Sequence, residues 1–240
     1  MNKKYTHIFF DLDNTLWDFK RNSRCAMWAT FNLLKLAGKG VDFDLFFERY
    51  SANNTALWTA YRKKEVRKSE LIRLRFQLTF DALGIDDVDP VQMNDWYLTE
   101  MPKQMNVIEG ALEVLKYLKT KKYKLFIITN GFREVQHKKL QNSGLGTYFE
   151  KVFISEEIKT PKPGYEIFEY AIKSTNAKKA NSLMIGDDWD VDILGARNFG
   201  IDAIHFYPGM PKNNSEYDDL AHESKGICKI SNLKDLLQML

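Results

Sequence analysis

The sequence predicts an α/β protein: a three-layer core with a parallel sheet between helices, and an all-helical domain inserted after the first strand. Three observations carry that expectation. An apolar run, Ile8-Phe9-Phe10, ends abruptly in Asp11-Leu12-Asp13-Asn14-Thr15, as a buried strand delivering acidic groups to a loop would. From about Asp18 to Met101 the apolar spacing is helical, with no convincing strand. Beyond Asn106, short apolar runs alternate with single helical patterns, the grammar of a parallel sheet covered on both faces. Residues 1–17 and 102–240 are therefore expected to form the core, and 18–101 the insertion.

Within the insertion, one helix is expected over 23–37, another from near Asp42, and a third over 54–64. Ser69 reads as the N-cap of a helix with Leu71, Leu74, Leu78 and Ala82 along one side, closed by Gly84. Asp89-Pro90 repeats the start signal for a helix through Trp96 and Tyr97. The core then reads as helix 109–119, strand 124–128, helix 133–143, strand 152–154, helix 165–174, strand 182–185, helix 191–199 and strand 203–206, with a last helix near Asn232. Residues 207–225, with Pro208-Gly209, Pro211 and Asn213-Asn214, read as a long irregular surface loop.

Composition narrows the function classes. The chain has 240 residues, 44% hydrophobic and 28% charged, an ordinary globular balance with no segment of membrane-spanning length. A net charge of +3, with basic residues scattered among acidic ones, does not point to nucleic acid. Met1-Asn2-Lys3-Lys4 leads straight into the first strand and leaves no room for a secretory signal. Cys25 and Cys228 match no metal or redox spacing and read as reduced thiols, so a cytoplasmic protein is expected.

The chemistry gathers at strand ends, where ligands of open parallel sheets sit. Asp11 and Asp13 share a small volume, and two like charges so close call for a cation, a proton, or both. Thr129-Asn130-Gly131 offers a hydroxyl, an amide and a close backbone approach to an anion, although a polar helix-capping turn fits it equally well. Lys162 stands between Pro161 and Pro163, which restrict its backbone and fix the direction of its ammonium. Gly186-Asp187-Asp188-Trp189-Asp190-Val191-Asp192 crowds four acids at one strand end; Asp190 and Asp192 could be capping residues, whereas Asp187 follows its strand as Asp11 follows the first. Carboxylates for Mg²⁺, donors for phosphate oxygens and one fixed cation serve a single task.

With these four segments in this order, the chain resembles the haloacid dehalogenase-like (HAD) hydrolase superfamily. The resemblance spans nearly the whole Rossmann-like core, and the helical insertion stands where that family carries its C1-type cap. Ile128 to Phe132, Ile154-Ser155-Glu156-Glu157 and Lys162-Pro163 with Ile167-Phe168 resemble its bacterial pyrimidine 5'-nucleotidase branch. The resemblance implies an Mg²⁺-dependent phosphatase acting on a small phosphomonoester, a nucleotide in that branch. It implies Asp11 as nucleophile forming an aspartyl-phosphate and Asp13 as the proton carrier. Asp11, Asp187 and the backbone carbonyl of Asp13 would hold Mg²⁺. Thr129, Asn130 and Lys162 would hold the phosphoryl group, with Asp192 orienting a metal-bound water or Lys162. Asp188 is a departure, since a small hydroxyl residue often stands there in relatives.

Asp13 argues against the dehalogenases, which lack that second acid, and the absence of histidine between His7 and His137 argues against the sugar phosphomutases. A phosphatase of sugar phosphates or phosphoglycolate is the alternative within the superfamily, and a phosphorelay receiver the alternative outside it. Trp17, Phe19, Trp58, Tyr61 and Phe132 are candidates for packing on a flat base, although aromatics at helical spacing more often build a core. A monomer or weak homo-oligomer is expected, with no nucleic-acid or membrane partner.

Overall fold

In the computed structural model, which describes residues 4–209 and 227–240, the chain divides into two compact units. One comprises residues 1–19 and 106–240, the other residues 20–105. Among the described residues of the first unit, six strands form one fully parallel sheet: β1 (His7–Phe10), β2 (Lys124–Thr129), β3 (Lys151–Ile154), β4 (Ser182–Gly186), β5 (Asp202–Phe206) and β6 (Ile227–Ile230). Their order is β3-β2-β1-β4-β5-β6. β1 is buried along its whole length, as a strand covered on both faces must be, which explains its unbroken apolar run. The chain winds outward from β1 to β2 and β3, then returns to β4 on the other side of β1. That reversal is the switch point of the sheet, and Asp11 lies directly beyond it.

Crossovers place α5 (Ala111–Thr120), α6 (Arg133–Asn142), the short α7 (Ser155–Ile158), α8 (Tyr165–Ser174) and α9 (Gly195–Phe199) around the sheet. Phe9, Phe126, Ile128, Phe153, Ile167, Phe168 and Met184 share one core cluster between sheet and helices. The segment after β1 is tied to the return point of the chain: Asp18 N–H donates to Asn106 C=O (3.1 Å) and Ile108 N–H to Leu16 C=O (2.8 Å).

The helical unit contains α1 (Phe19–Leu33, overlapping the boundary by one residue), α2 (Phe43–Arg62), α3 (Lys68–Leu83) and α4 (Pro90–Glu100). The helices expected from Asp42 and over 54–64 are one continuous α2, capped by the Asp42 side chain. Asn53 and Asn54 disfavour a helix locally, but Asn53 donates to Thr79 Oγ1 and Asn54 accepts from Arg75, so tertiary bonds carry the helix through. The N-cap of α3 is Arg67 rather than Ser69, with Glu70 accepting the Arg67 N–H (2.8 Å). Gly84 and Asp89-Pro90 mark their helix ends as expected. β6 is not among the expected strands, and most of the expected 207–225 loop lies outside the described residues. No helix among the described residues is long and apolar enough to cross a membrane. Cys25 and Cys228 are free and exposed.

Candidate active site

The ends of β1, β2 and β4 and the turn at Lys162 converge on one buried cluster. The Asp11 N–H continues the ladder to Ile185 C=O (2.9 Å), so its carboxylate is placed by the sheet itself. Lys162 is 1% exposed, and its ammonium donates to Asp11 Oδ1 (2.6 Å), Asp192 Oδ1 (2.6 Å) and Ile128 C=O (2.7 Å), which uses all three of its hydrogens. Asn130 holds the same lysine by its main chain: Lys162 N–H donates to Asn130 Oδ1 (2.8 Å), and Asn130 Nδ2 donates to Lys162 C=O (2.9 Å). The fixed ammonium thus comes from a two-point amide clamp as well as from the flanking prolines.

Asp11, Asp187 and Asp192 bring carboxylate oxygens within 4.8 Å of one another. Three carboxylates against one ammonium leave a surplus of negative charge in a site from which water is largely excluded. Burial pushes Asp11 well above the ordinary carboxylate range; Lys162 pulls it down, and Asp192, Asp187 and Asp13 add to the rise. Burial, followed by the charge of Asp192, raises Asp187 to about 7, against a hydrogen bond from Thr15 Oγ1 (3.2 Å). Asp192 is raised by burial and opposed by Lys162. Burial disfavours the charge on Lys162, but Asp11 and Asp192 outweigh it and hold the lysine protonated. A divalent cation would relieve this surplus, and oxygens at these separations can meet around one ion with bonds of about 2.1 Å. Asp11 Oδ2 and Asp187 Oδ2 accept no hydrogen bond among the described residues, whereas both Asp192 oxygens are engaged, by Lys162 and by the Asp188 N–H (3.2 Å).

Asp13 lies on the turn after β1, where Asn14 adopts a left-handed φ of 62°. Its carboxylate receives Lys139 Nζ at Oδ1 (2.7 Å) and Gln136 Nε2 at Oδ2 (2.9 Å). The same Gln136 amide donates to Thr129 Oγ1 (2.7 Å), which also accepts the Gly131 N–H (3.2 Å). With two donors on its oxygen, Thr129 can offer its own hydrogen to an incoming acceptor. Gln136 and Lys139 are buried members of the site that the sequence reading missed. The available signal was their place on the same stripe of α6 as the buried Val135 and Leu140.

Two glycines are demanded by close approach. A Cβ at Gly131 would meet Gln136 Nε2 at 2.3 Å, and one at Gly186 would meet Asp192 Oδ2 at 2.3 Å. The helix cap after β4 is Asp188, accepting from Asp190 N–H (3.1 Å) and Val191 N–H (3.0 Å); Asp190 is exposed and Asp192 is committed to Lys162. Glu156 accepts the Arg133 N–H (3.0 Å) and Glu157 pairs with the Arg133 side chain (3.3 Å), tying the turn after β2 to α7. Trp17 is fully buried with Lys139 Nζ 4.3 Å from its ring, and Phe132 is 4% exposed, so neither presents a face for a base. Phe19 lies 5.4 Å from the same ammonium, and Trp58 and Tyr61 form a half-buried edge-to-face pair.

The profile of the haloacid dehalogenase-like hydrolases matches residues 5–200. The chain belongs to this family. As a HAD hydrolase it is an enzyme, and its relatives include phosphatases. It is 34% identical to the pyrimidine 5'-nucleotidase PynA of Streptococcus pneumoniae, over 88% of each chain. It is 32% identical to the pyrimidine 5'-nucleotidase YjjG of Escherichia coli, over 82% of this chain and 84% of that one. Among solved structures, the HAD hydrolase YfnB of Bacillus subtilis, bound to magnesium, superposes with a TM-score of 0.82 at 26% identity and 99% coverage of both chains.

Proposed function

We propose that this HAD hydrolase is an Mg²⁺-dependent phosphomonoesterase acting through an aspartyl-phosphate on Asp11, with pyrimidine nucleoside 5'-monophosphates as substrates. The observation that carries the chemistry is the state of Asp11: Oδ1 is held by Lys162, while Oδ2 accepts no bond among the described residues, at the mouth of the switch point. A carboxylate held at one oxygen and open at the other is oriented for attack, and forming a covalent intermediate splits one hard displacement into two easier ones.

In the first step an Asp11 oxygen bonds to phosphorus as the ester P–O bond breaks, and the leaving alkoxide takes the proton carried by Asp13. In the second, Asp13 takes a proton from water as the water oxygen bonds to phosphorus, the acyl-phosphate P–O bond breaks, and Asp11 is regenerated with release of phosphate. Thr129 donates its hydroxyl hydrogen to a phosphoryl oxygen, and Lys162 offsets charge on the same group. Asn130, whose amide is spent on Lys162, contributes its main-chain N–H instead. Asp11, Asp187 and the Asp13 carbonyl would hold Mg²⁺, with Asp192 behind them; bound there, the ion neutralises charge on the phosphoryl oxygens.

The nucleotide assignment draws its support from PynA and YjjG, which match along most of their lengths. The test compares kcat/KM for UMP, dTMP, AMP, ribose 5-phosphate and phosphoglycolate, with Mg²⁺ and with EDTA. A preference for UMP and dTMP that vanishes in EDTA is expected. A higher value for ribose 5-phosphate or phosphoglycolate overturns the substrate, and unchanged rates in EDTA overturn the metal.

A further inference from the structure

α6 sends two buried polar side chains toward Asp13. Lys139 is 3% exposed although it is a lysine, and the only carboxylate within salt-bridge distance among the described residues is that of Asp13. Its ammonium is further confined by the Trp17 ring (4.3 Å) and the Phe19 ring (5.4 Å). Gln136 is fully buried and splits its amide hydrogens between Asp13 Oδ2 and Thr129 Oγ1. Its Oε1 has no hydrogen-bond partner among the described residues. Turning the amide over would set two acceptor oxygens, Oε1 and Asp13 Oδ2, against each other.

Burying an ammonium and an amide is costly unless the contacts they make are worth it. Here both oxygens of Asp13 are held from one helix, each by its own donor, so the rotamer of this carboxylate is set by α6. The shared Gln136 amide couples that rotamer to the Thr129 hydroxyl on β2. The geometry points to Lys139 and Gln136 as a positioning pair that aims the Asp13 carboxyl at the ester and water oxygens while aligning Thr129 with the phosphoryl group. This inference rests on Asp13 as the proton carrier. It adds that two residues which touch neither phosphate nor metal govern the proton-transfer steps.

A positioning role predicts a loss that depends on the leaving group. An alkoxide needs a proton to depart, whereas p-nitrophenolate leaves without one, so misplacing Asp13 should slow alkyl esters selectively. Wild type, Asp13→Asn, Lys139→Met and Gln136→Met are compared on UMP, ribose 5-phosphate and p-nitrophenyl phosphate, with folding checked by circular dichroism. Methionine keeps most of the side-chain volume and removes the donor. General acid catalysis contributes on the order of 100-fold or more, so Lys139→Met should lose at least about tenfold more in kcat/KM on the faster alkyl ester than on p-nitrophenyl phosphate, with Gln136→Met following in the same sense. In an Asp13→Asn background, Lys139→Met should cause no further selective loss, because the two act as one unit.

Equal losses on both ester types, no loss, or a gain would each overturn the positioning role. If Lys139→Met fails to fold, Lys139→Gln carries the same comparison with a neutral polar group. An Asp13→Asn enzyme without leaving-group selectivity would sink the proton-carrier reading itself. A selective Asp13→Asn beside a non-selective Lys139→Met would sink this inference alone.

Discussion

Lys162 in the core and Arg75 in the helical unit are both buried cations, and the two are compensated in opposite ways. In the core, Lys162 meets two carboxylates and a carbonyl at 2.6 to 2.7 Å. In the helical unit, Arg75 is 3% exposed and meets no carboxylate among the described residues. Its donors go to Asn54 Oδ1 and Asn94 Oδ1, and the faces of Tyr50, Phe76 and Tyr97 lie within 6.0 Å of its guanidinium carbon. A cation solvated by neutral amides and ring faces adds specificity to a helix bundle without asking for a ligand. A cation outnumbered by carboxylates leaves a negative site that favours a positive guest. The difference separates a charge that builds structure from a charge proposed to serve chemistry.

The most forceful way to break this contrast is to remove the group proposed to attack, Asp11. Asp11→Asn should lower kcat by at least about three orders of magnitude, the scale seen when an activated nucleophile is deleted, with an unchanged circular dichroism spectrum. Substantial turnover, in a sample shown by mass spectrometry to be free of deamidation, would return Asp11 to a structural role. Next in size are the cations. At pH 8 in EDTA, Lys162→Met leaves Asp11 and Asp192 buried without their counter-charge and should cost about 3–5 kcal/mol in urea unfolding. Arg75→Met leaves two neutral amide acceptors and should cost about 1–3 kcal/mol. A larger loss for Arg75→Met would erase the distinction.

How much of this was legible beforehand depended on where a residue stood. Asp11, Thr129 and Asp187 each follow or end a strand, and a strand end in a parallel sheet points at the ligand site whatever the rest of the chain does. Lys162 was marked by its prolines, but the Asn130 clamp is a contact between distant segments that no local pattern encodes. Gln136 and Lys139 stand in an unbroken polar run, and only the stripe shared with Val135 and Leu140 shows that they turn inward. The same limit joined the two helices expected around Asn53 and Asn54, where Thr79 and Arg75 supply bonds from another helix. Asp188 is the cap in place of Asp190 or Asp192 because capping depends on which backbone N–H groups each acid reaches at the π-helical turn Trp189–Leu194.

The smallest expected effect tests the surplus charge directly. Asp187 is raised from 3.8 to about 7 by burial and by Asp192, and Asp11 and Asp192 are raised in the same direction. A folded state that holds protons more tightly than the unfolded chain is favoured at low pH, and this contribution is lost as pH rises through about 7. His7 and His205 act oppositely: burial lowers both below 6.5, so their contribution is present above that value and fades as pH falls. The two trends oppose each other in a simple pH series, but the histidine part largely cancels in the difference between scans with and without Mg²⁺. Because the ion binds the deprotonated acids, the rise in Tm on adding Mg²⁺ should be a few degrees at pH 8 and smaller at pH 5.5, following the linkage between binding and stability. An increment that is flat or shrinks toward pH 8 would mean that these carboxylates do not receive the ion, and the cluster around Lys162 would then be as purely structural as the one around Arg75.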